Sequence, residues 1–244
     1  MLKKFVYITL WIALLVSPAH AATLKVACAA NFTSAMKELS AQYTKESGNK
    51  VNCTFGSTGM LYGQITKGAP YDLFFAADEK RPALLHDKGL GNTPELYAKG
   101  RVVVWSKSEK LAIMSNWKEV VLCSECRKVG IATPKTAPYG LKAEEAMKQT
   151  HVFTDVEPRL AFGKSVGMAF QYAYSGATDA SFVALSQALS GKAAQGRYWP
   201  VPEAGPVNQA ASVLKNGDTT LATAFLAWMK TPEAHAIVEK YGYE

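Results

Sequence analysis

The sequence predicts an α/β chain folded as two doubly wound lobes, joined by two crossover segments, with a ligand cleft between them. Three observations predict it. Short apolar runs alternate with amphipathic helical patterns, the rhythm of a parallel sheet covered by helices. That rhythm runs twice, once before about residue 100 and once after, and two lobes of this size fit ordinary domain dimensions. Strand-to-helix corners rich in Gly, Ser, Thr and Asn recur, two in each half.

The chain has 244 residues and a formal net charge of +7. It opens with Met1-Leu2-Lys3-Lys4, an apolar run from Phe5 to Val16, a Ser17-Pro18 break and Ala19-His20-Ala21. A basic start, a short apolar run and an Ala-x-Ala site make a secretory signal peptide, residues 1–21, with cleavage after Ala21. The run is too short to span a bilayer comfortably, and no Cys follows the cleavage site to carry a lipid. Lys and Arg are scattered, as on a solvated surface and unlike a nucleic-acid footprint.

Leu24 to Ala30 reads as the first strand, and Asn31 as the cap of a helix with Phe32, Met36, Leu39 and Tyr43 at helical spacing. Lys50 to Phe55 is a strand, Leu61 to Lys67 a helix and Gly68-Ala69-Pro70 a turn. Tyr71 to Ala76, apolar after Asp72, suits a parallel strand buried on both faces. Asp78 caps the next helix, through about Lys88. Arg101 to Trp105 begins the second half as a strand. The short helix Asn116 to Leu122, the strand Lys128 to Ala132 and the helix Leu141 to Gln149 follow. Pro158 to Phe162 and Ala180 to Leu185 read as strands around a helix from Val166 to Tyr174. Tyr198 to Pro202 is extended and Val207 to Leu214 a strand. Asp218 to Lys230 and Pro232 to Tyr241 close the chain as helices, Thr231 capping the second with Pro232 at its first position. The crossovers are expected near residues 84–105 and 203–214. Lobe I is expected to hold residues 22–100 plus 210–244, and lobe II residues 101–209.

In open α/β sheets ligands sit beyond the carboxyl ends of the strands. The four corners there are Ala29-Ala30-Asn31-Phe32-Thr33, Gly56-Ser57-Thr58-Gly59, Pro138-Tyr139-Gly140 and Gly163-Lys164-Ser165-Val166-Gly167. A helix start leaves backbone N–H groups unpaired beside the positive end of the helix dipole, which makes an anion site. Asn31 can also donate a side-chain N–H. Many neutral donors in a dry pocket hold a charge without a cation; Lys164, the one cation at these corners, reads as a solvated surface residue. No corner contains Asp or Glu. A protonated phosphate needs an acceptor, so the pattern favours a fully deprotonated tetrahedral dianion. Asp72 and Asp78 read as turn and cap residues.

Catalytic signatures are missing. His20 leaves with the leader, and His86, His151 and His235 have no nucleophile or metal-ligand spacing around them; no H-E-x-x-H, G-x-S-x-G or Walker sequence occurs. The chain is expected not to be an enzyme and to carry no cofactor. Cys28, Cys53, Cys123 and Cys126 leave three pairings open in an exported chain. A thiol-disulfide role for Cys123-Ser-Glu-Cys126 is the competing class.

With the corners in view, the sequence from Leu24 to Tyr243 resembles the periplasmic molybdate-binding proteins of ABC-type importers. The resemblance rests on Ala29-Ala30-Asn31-Phe32-Thr33, Phe55 to Leu61, Gln64-Ile65-x-x-Gly68-Ala69-Pro70-x-Asp72-Leu73-Phe74, Ala76-Ala77-Asp78, Pro232-Glu-Ala and Lys240-Tyr-Gly. It implies a type II-like periplasmic binding fold, molybdate or tungstate in the interlobe cleft, a periplasmic location, and delivery to a membrane permease by a monomer that binds no nucleic acid. It implies oxyanion contacts from Asn31, Thr58 and the adjacent Ser57 in the first lobe, and from Tyr139 and the Val166 backbone N–H in the second, with no direct ligand to the metal atom. Some members carry a further contact tyrosine where this chain has Ala184, and the Tyr139 hydroxyl is the expected substitute. Another tetrahedral oxyanion such as sulfate differs from molybdate mainly in size.

Overall fold

A computed structural model describes residues 21–244; the leader reading therefore lies outside the described residues except at Ala21. Among the described residues no helix is long and apolar enough to cross a membrane.

The first half lays down β1 (Thr23–Ala29), α1 (Thr33–Ser47), β2 (Lys50–Gly56), α2 (Thr58–Ile65), β3 (Leu73–Phe75) and α3 (Lys80–Asp87). A long strand, β4 (Glu95–Ser106), leads to α4 (Trp117–Leu122), β5 (Val129–Ala132), α5 (Pro138–Gln149), α6 (Phe153–Val156), β6 (Leu160–Gly163), α7 (Val166–Ser175), β7 (Ala180–Ala184), α8 (Leu185–Ala188) and β8 (Arg197–Pro200). The return strand β9 (Pro206–Val213) precedes α9 (Thr219–Trp228) and α10 (Pro232–Lys240).

The nine strands form one sheet in the order β2-β1-β3-β9-β4-β7-β5-β6, with β8 beside β4. Pairings within each half are parallel: β1 with β2 and β3, and β5 with β6 and β7. The middle differs from the all-parallel expectation. β9 runs antiparallel to both β3 and β4, and β4 antiparallel to β7 and β8. The physical reason is the connectivity: the chain leaves the first half along β4 and returns along β9, so the two crossing strands point in opposite directions. β4 is also longer than its apolar stretch suggests. Its first part, Glu95–Arg101, pairs with β9, and its second, Val102–Ser106, with β7 and β8.

Apolar strand content sets the core. β3, β5 and β7 are buried at every position, as strands covered by helices on both faces require. In the first half Phe32, Phe75 and Tyr97 pack edge to face, with ring centroids 4.7 Å apart for Phe75–Tyr97 and 4.9 Å for Phe32–Tyr97. The C-terminus closes over them: Tyr243 packs on Phe32 at 5.0 Å, and Glu244 exchanges backbone hydrogen bonds with Lys99 of β4.

Caps divide the corners into two kinds. Asn116, Ser165, Asp218 and Thr231 each accept backbone N–H bonds at helix starts, as their positions predict. Asn31 does not: it lies inside a 3-10 turn, Ala30–Phe32, ahead of α1, and caps nothing. Ser57 stands at the cap position of α2, yet its hydroxyl makes no cap bond.

Candidate functional site

The corners after β1 and β2 meet those before α5 and α7 around one small cavity. Its lining includes Asn31, Ser57, Thr58, Tyr139 and Val166, the five residues singled out from sequence, with Ala77 at the carboxyl end of β3. Small residues complete it, and the lining contains no charged side chain. Lys164 is exposed and takes no part. Larger open grooves exist elsewhere, one beside Arg81 and Lys135, another beside Lys37 and Lys192. The smaller cavity is the better candidate because buried, unpaired polar atoms collect there.

Among the described residues, two buried side-chain atoms have no hydrogen-bond partner, the Asn31 Oδ1 and the Ser57 Oγ. Both belong to the lining. Buried polar groups are nearly always paired, so two orphans at one cavity mark a place where a polar ligand would complete the structure. The helices α2, α5 and α7 also begin here, and their first-turn N–H groups have no acceptor within their own helix. Val166 and Tyr139 stand in those first turns.

The side chains differ in availability. The Thr58 Oγ1 accepts from the Ala77 N–H at 3.0 Å, which ties α2 to the end of β3 and leaves the hydroxyl proton free to donate. Asn31 was expected to offer its N–H to a ligand. Instead, its Nδ2 donates to Gln209 Oε1 at 2.6 Å and Tyr243 Oη at 3.0 Å. The Tyr139 ring lines the cavity, while its hydroxyl reaches the same buried network, 3.4 Å from Gln209 Nε2. Burial raises the phenols of Tyr97, Tyr139 and Tyr243 well above the usual tyrosine range, so all three stay protonated at neutral pH. Ala184 is buried away from the lining, and its N–H donates to Gln187 Oε1 at 3.0 Å.

Contacts across the cavity hold the two halves together. The Gly59 N–H of α2 donates to Thr136 O, ahead of α5, at 2.8 Å. The Ser186 Oγ of α8 donates to Asn31 O at 2.8 Å. Arg81 bridges to Lys135 O at 3.1 Å while paired with Asp78.

Sequence reasoning missed Gln209, Tyr97 and Tyr243. A weak signal exists for the first: Asn208-Gln209 interrupts an apolar strand, and Gln209 is fully buried, which a glutamine tolerates only with partners. Asp72 reads better as a staple than as a turn residue. Its carboxylate accepts from the Lys25 N–H at 2.6 Å and the Asp218 N–H at 2.9 Å, and it is not part of the cavity lining.

The competing thiol chemistry finds little support. All four cysteines are free thiols. Cys126 is buried, and that burial pushes its thiol up to about 12, the opposite of a reactive thiolate. No group of His, Cys, Asp and Glu among the described residues could hold a metal ion.

Comparison with known proteins agrees with this architecture. Residues 24–244 match the family model for bacterial extracellular solute-binding proteins. The molybdate-binding protein ModA of Rhodobacter capsulatus is 40% identical over 231 residues, covering 93% of this chain and 90% of that one. ModA of Azotobacter vinelandii is 36% identical, covering 94% and 93%. The structure of the Azotobacter vinelandii periplasmic molybdate-binding protein superimposes with a TM-score of 0.85 at 34% identity, over 91% of this chain and 98% of that one. A matched family model spanning nearly all of the described residues, together with this sheet and the small cavity between its halves, places the chain in the bacterial extracellular solute-binding protein family.

Proposed function

We propose that the protein, cleaved after Ala21 and working in the periplasm, captures molybdate or tungstate in the central cavity and delivers it to the membrane permease of an ABC importer. The observation that carries this reading is the cavity itself: a small space with neutral walls, where unpaired polar atoms and three helix starts converge. Neutral, pre-oriented donors suit a fully ionised tetrahedral dianion, and the lack of a lining carboxylate disfavours a protonated phosphate. The molybdate-binding relatives supply the choice among dianions.

The oxyanion contacts in this reading are the Ser57 and Thr58 hydroxyls, Asn31, Tyr139 and the Val166 N–H. Residues 22–100 with 210–244, and residues 101–209, act as lobes that open for entry and close on the ligand. A ligand held from both lobes favours the closed state in proportion to its added contacts there, a motion for which periplasmic binding proteins are a standard example. The permease then reads closure. In this reading the chain is a non-catalytic monomer without a cofactor. Calorimetric titration of residues 22–244 with molybdate, tungstate, sulfate and phosphate tests it. Strong heats with molybdate and tungstate are expected; no heat with either refutes it, and a preference for sulfate moves the assignment to a sulfate carrier.

A further inference from the structure

Asn31 poses a problem that the cavity alone does not solve. Its Nδ2 faces Gln209 and Tyr243, and its buried Oδ1 has no donor. An oxyanion brings more acceptors and no proton, so this orientation would set oxygen against oxygen.

An amide can be turned over with its heavy atoms left almost in place. Asn31 cannot turn alone. Its Oδ1 would then meet Gln209 Oε1 at the present 2.6 Å separation, two acceptors in contact. If Gln209 turns as well, the protons of Gln209 and of the three tyrosines all find acceptors. The Gln209 Nε2 then donates to Asn31 Oδ1 and to Tyr97 Oη, which lies 3.0 Å from the present Oε1. The Tyr97 hydroxyl gives its proton to Ala76 O at 3.2 Å. The Tyr139 hydroxyl donates to Gln209 Oε1, and Tyr243 donates to Asn31 Oδ1. Asn31 O keeps the Ser186 hydroxyl. The Asn31 Nδ2 now stands where Oδ1 stood, and faces the ligand as a donor.

We propose that Gln209 is a positioning residue for the oxyanion: the Asn31 and Gln209 amides turn over as a pair, and Gln209, held by Tyr97 and Tyr139, fixes the Asn31 N–H toward the ligand. The inference rests on the oxyanion reading above and deepens it. It also gives the pocket a selectivity device. The unturned orientation offers an acceptor and fits a protonated anion such as hydrogen phosphate; the turned one offers a donor and fits a fully ionised dianion. Space for the network comes from Gly100 on β4, where a Cβ would lie 2.0 Å from Tyr139 Oη and 2.7 Å from Gln209 Nε2. The titratable groups facing Gln209 are Tyr97 of β4, Tyr139 of α5 and Tyr243 of the C-terminus, all held protonated by burial.

Calorimetry with sodium tungstate tests the proposal on residues 22–244, as wild type, Gln209→Leu and Gln209→Glu, between pH 5 and 8. Gln209→Leu leaves Asn31 held by Tyr243 alone, and binding about tenfold weaker is expected at every pH. In Gln209→Glu an ionised carboxylate accepts only, holds the Asn31 N–H away from the ligand, and weakens binding at least 100-fold at pH 8. Affinity returns as the pH falls and the carboxyl regains a proton to donate, while wild type stays level. Wild-type affinity in Gln209→Leu overturns the proposal, because it would leave only charge repulsion to explain the glutamate variant. A second readout needs no variant at position 209. The side-chain NH₂ resonances of Asn31 and Gln209, assigned by 15N NMR with Asn31→Asp as reference, should both shift on tungstate addition. A shift at Asn31 with Gln209 unmoved overturns the paired turn. Absence of tungstate binding by wild type strikes instead at the oxyanion reading itself.

Discussion

Gly59 sits in the first turn of α2, where its N–H reaches across the cavity to Thr136 O. A Cβ added there would lie 2.9 Å from that oxygen, 3.0 Å from the Thr136 Cα and 3.1 Å from its Cβ. Ordinary contacts begin near 3.4 Å, so Gly59→Ala must push the two corners apart by several tenths of an ångström, against backbone. The bridging hydrogen bond lengthens with them. Loss of such a bond costs about 0.5–1.5 kcal/mol, and forced overpacking typically about 1–3 kcal/mol. A sum of about 1.5–4.5 kcal/mol falls on the closed state alone, which corresponds to about 10- to 2,000-fold weaker oxyanion binding. In the open state the same alanine favours the helix by up to about 1 kcal/mol over glycine. Binding and stability should therefore separate. Calorimetry with molybdate should show the loss, while the ligand-free Tm stays level or rises. Undiminished affinity would refute the claim that these corners must meet for the ligand to be held.

Four further outcomes follow from the same geometry. Ser57→Ala should leave ligand-free stability within about 0.5 kcal/mol, because in the open state water pairs the hydroxyl, while oxyanion affinity falls about 10- to 150-fold, the equivalent of one hydrogen bond to a charged group; thermal melts and titration check both halves. Thr58→Ala should weaken binding and also orphan the Ala77 N–H, lowering Tm by about 2–12 °C for a loss of about 1–3 kcal/mol, whereas Thr58→Ser keeps the acceptor and most of the stability. Affinity should be level from pH 6 to 9, because the lining has no carboxylate or amine, and burial raises the Tyr139 phenol so that it loses its proton only above the ordinary tyrosine range; a binding midpoint inside that window would reveal a titrating contact not in the lining. Iodoacetamide at pH 8 should leave Cys126 unmodified until the chain unfolds, since burial raises its thiol to about 12; rapid labelling of the folded protein would reopen thiol chemistry.

Much of the fold was legible locally. The alternation of buried strands and amphipathic helices is written into residue periodicity, so β1, β2, β3, β5 and β7 fall close to the runs that suggest them. The helix starts at Asn116, Asp218 and Thr231 were legible for the same reason, since a cap bonds only a few residues along the chain. Strand direction in the middle of the sheet was not. Whether β9 lies beside β3 or elsewhere depends on where the chain returns, which no window of adjacent residues records. The N-terminal part of β4 was missed because Glu95 to Gly100 is a mixed polar run whose strand character comes from pairing with β9.

The candidate site divides in the same way. Gly56-Ser57-Thr58-Gly59 and its counterparts announce exposed N–H groups at helix starts, and the sequence alone determined which corners could face an anion. It could not tell a cap from a donor: Ser57 and Ser165 look alike in the sequence, yet the Ser165 hydroxyl bonds its own helix and the Ser57 hydroxyl bonds nothing. Only the tertiary structure decided that, because the sheet brings the four corners together and leaves the Ser57 hydroxyl buried and unpaired. It also decided which way Asn31 faces. That depends on Gln209 and Tyr243, which are 178 and 212 residues away in the chain and enter the same dry network only when β9 and the C-terminus close over β1. Hydrogen bonds are short-ranged and directional, so the chemistry of a donor is a property of the residue, while its availability is a property of everything folded around it.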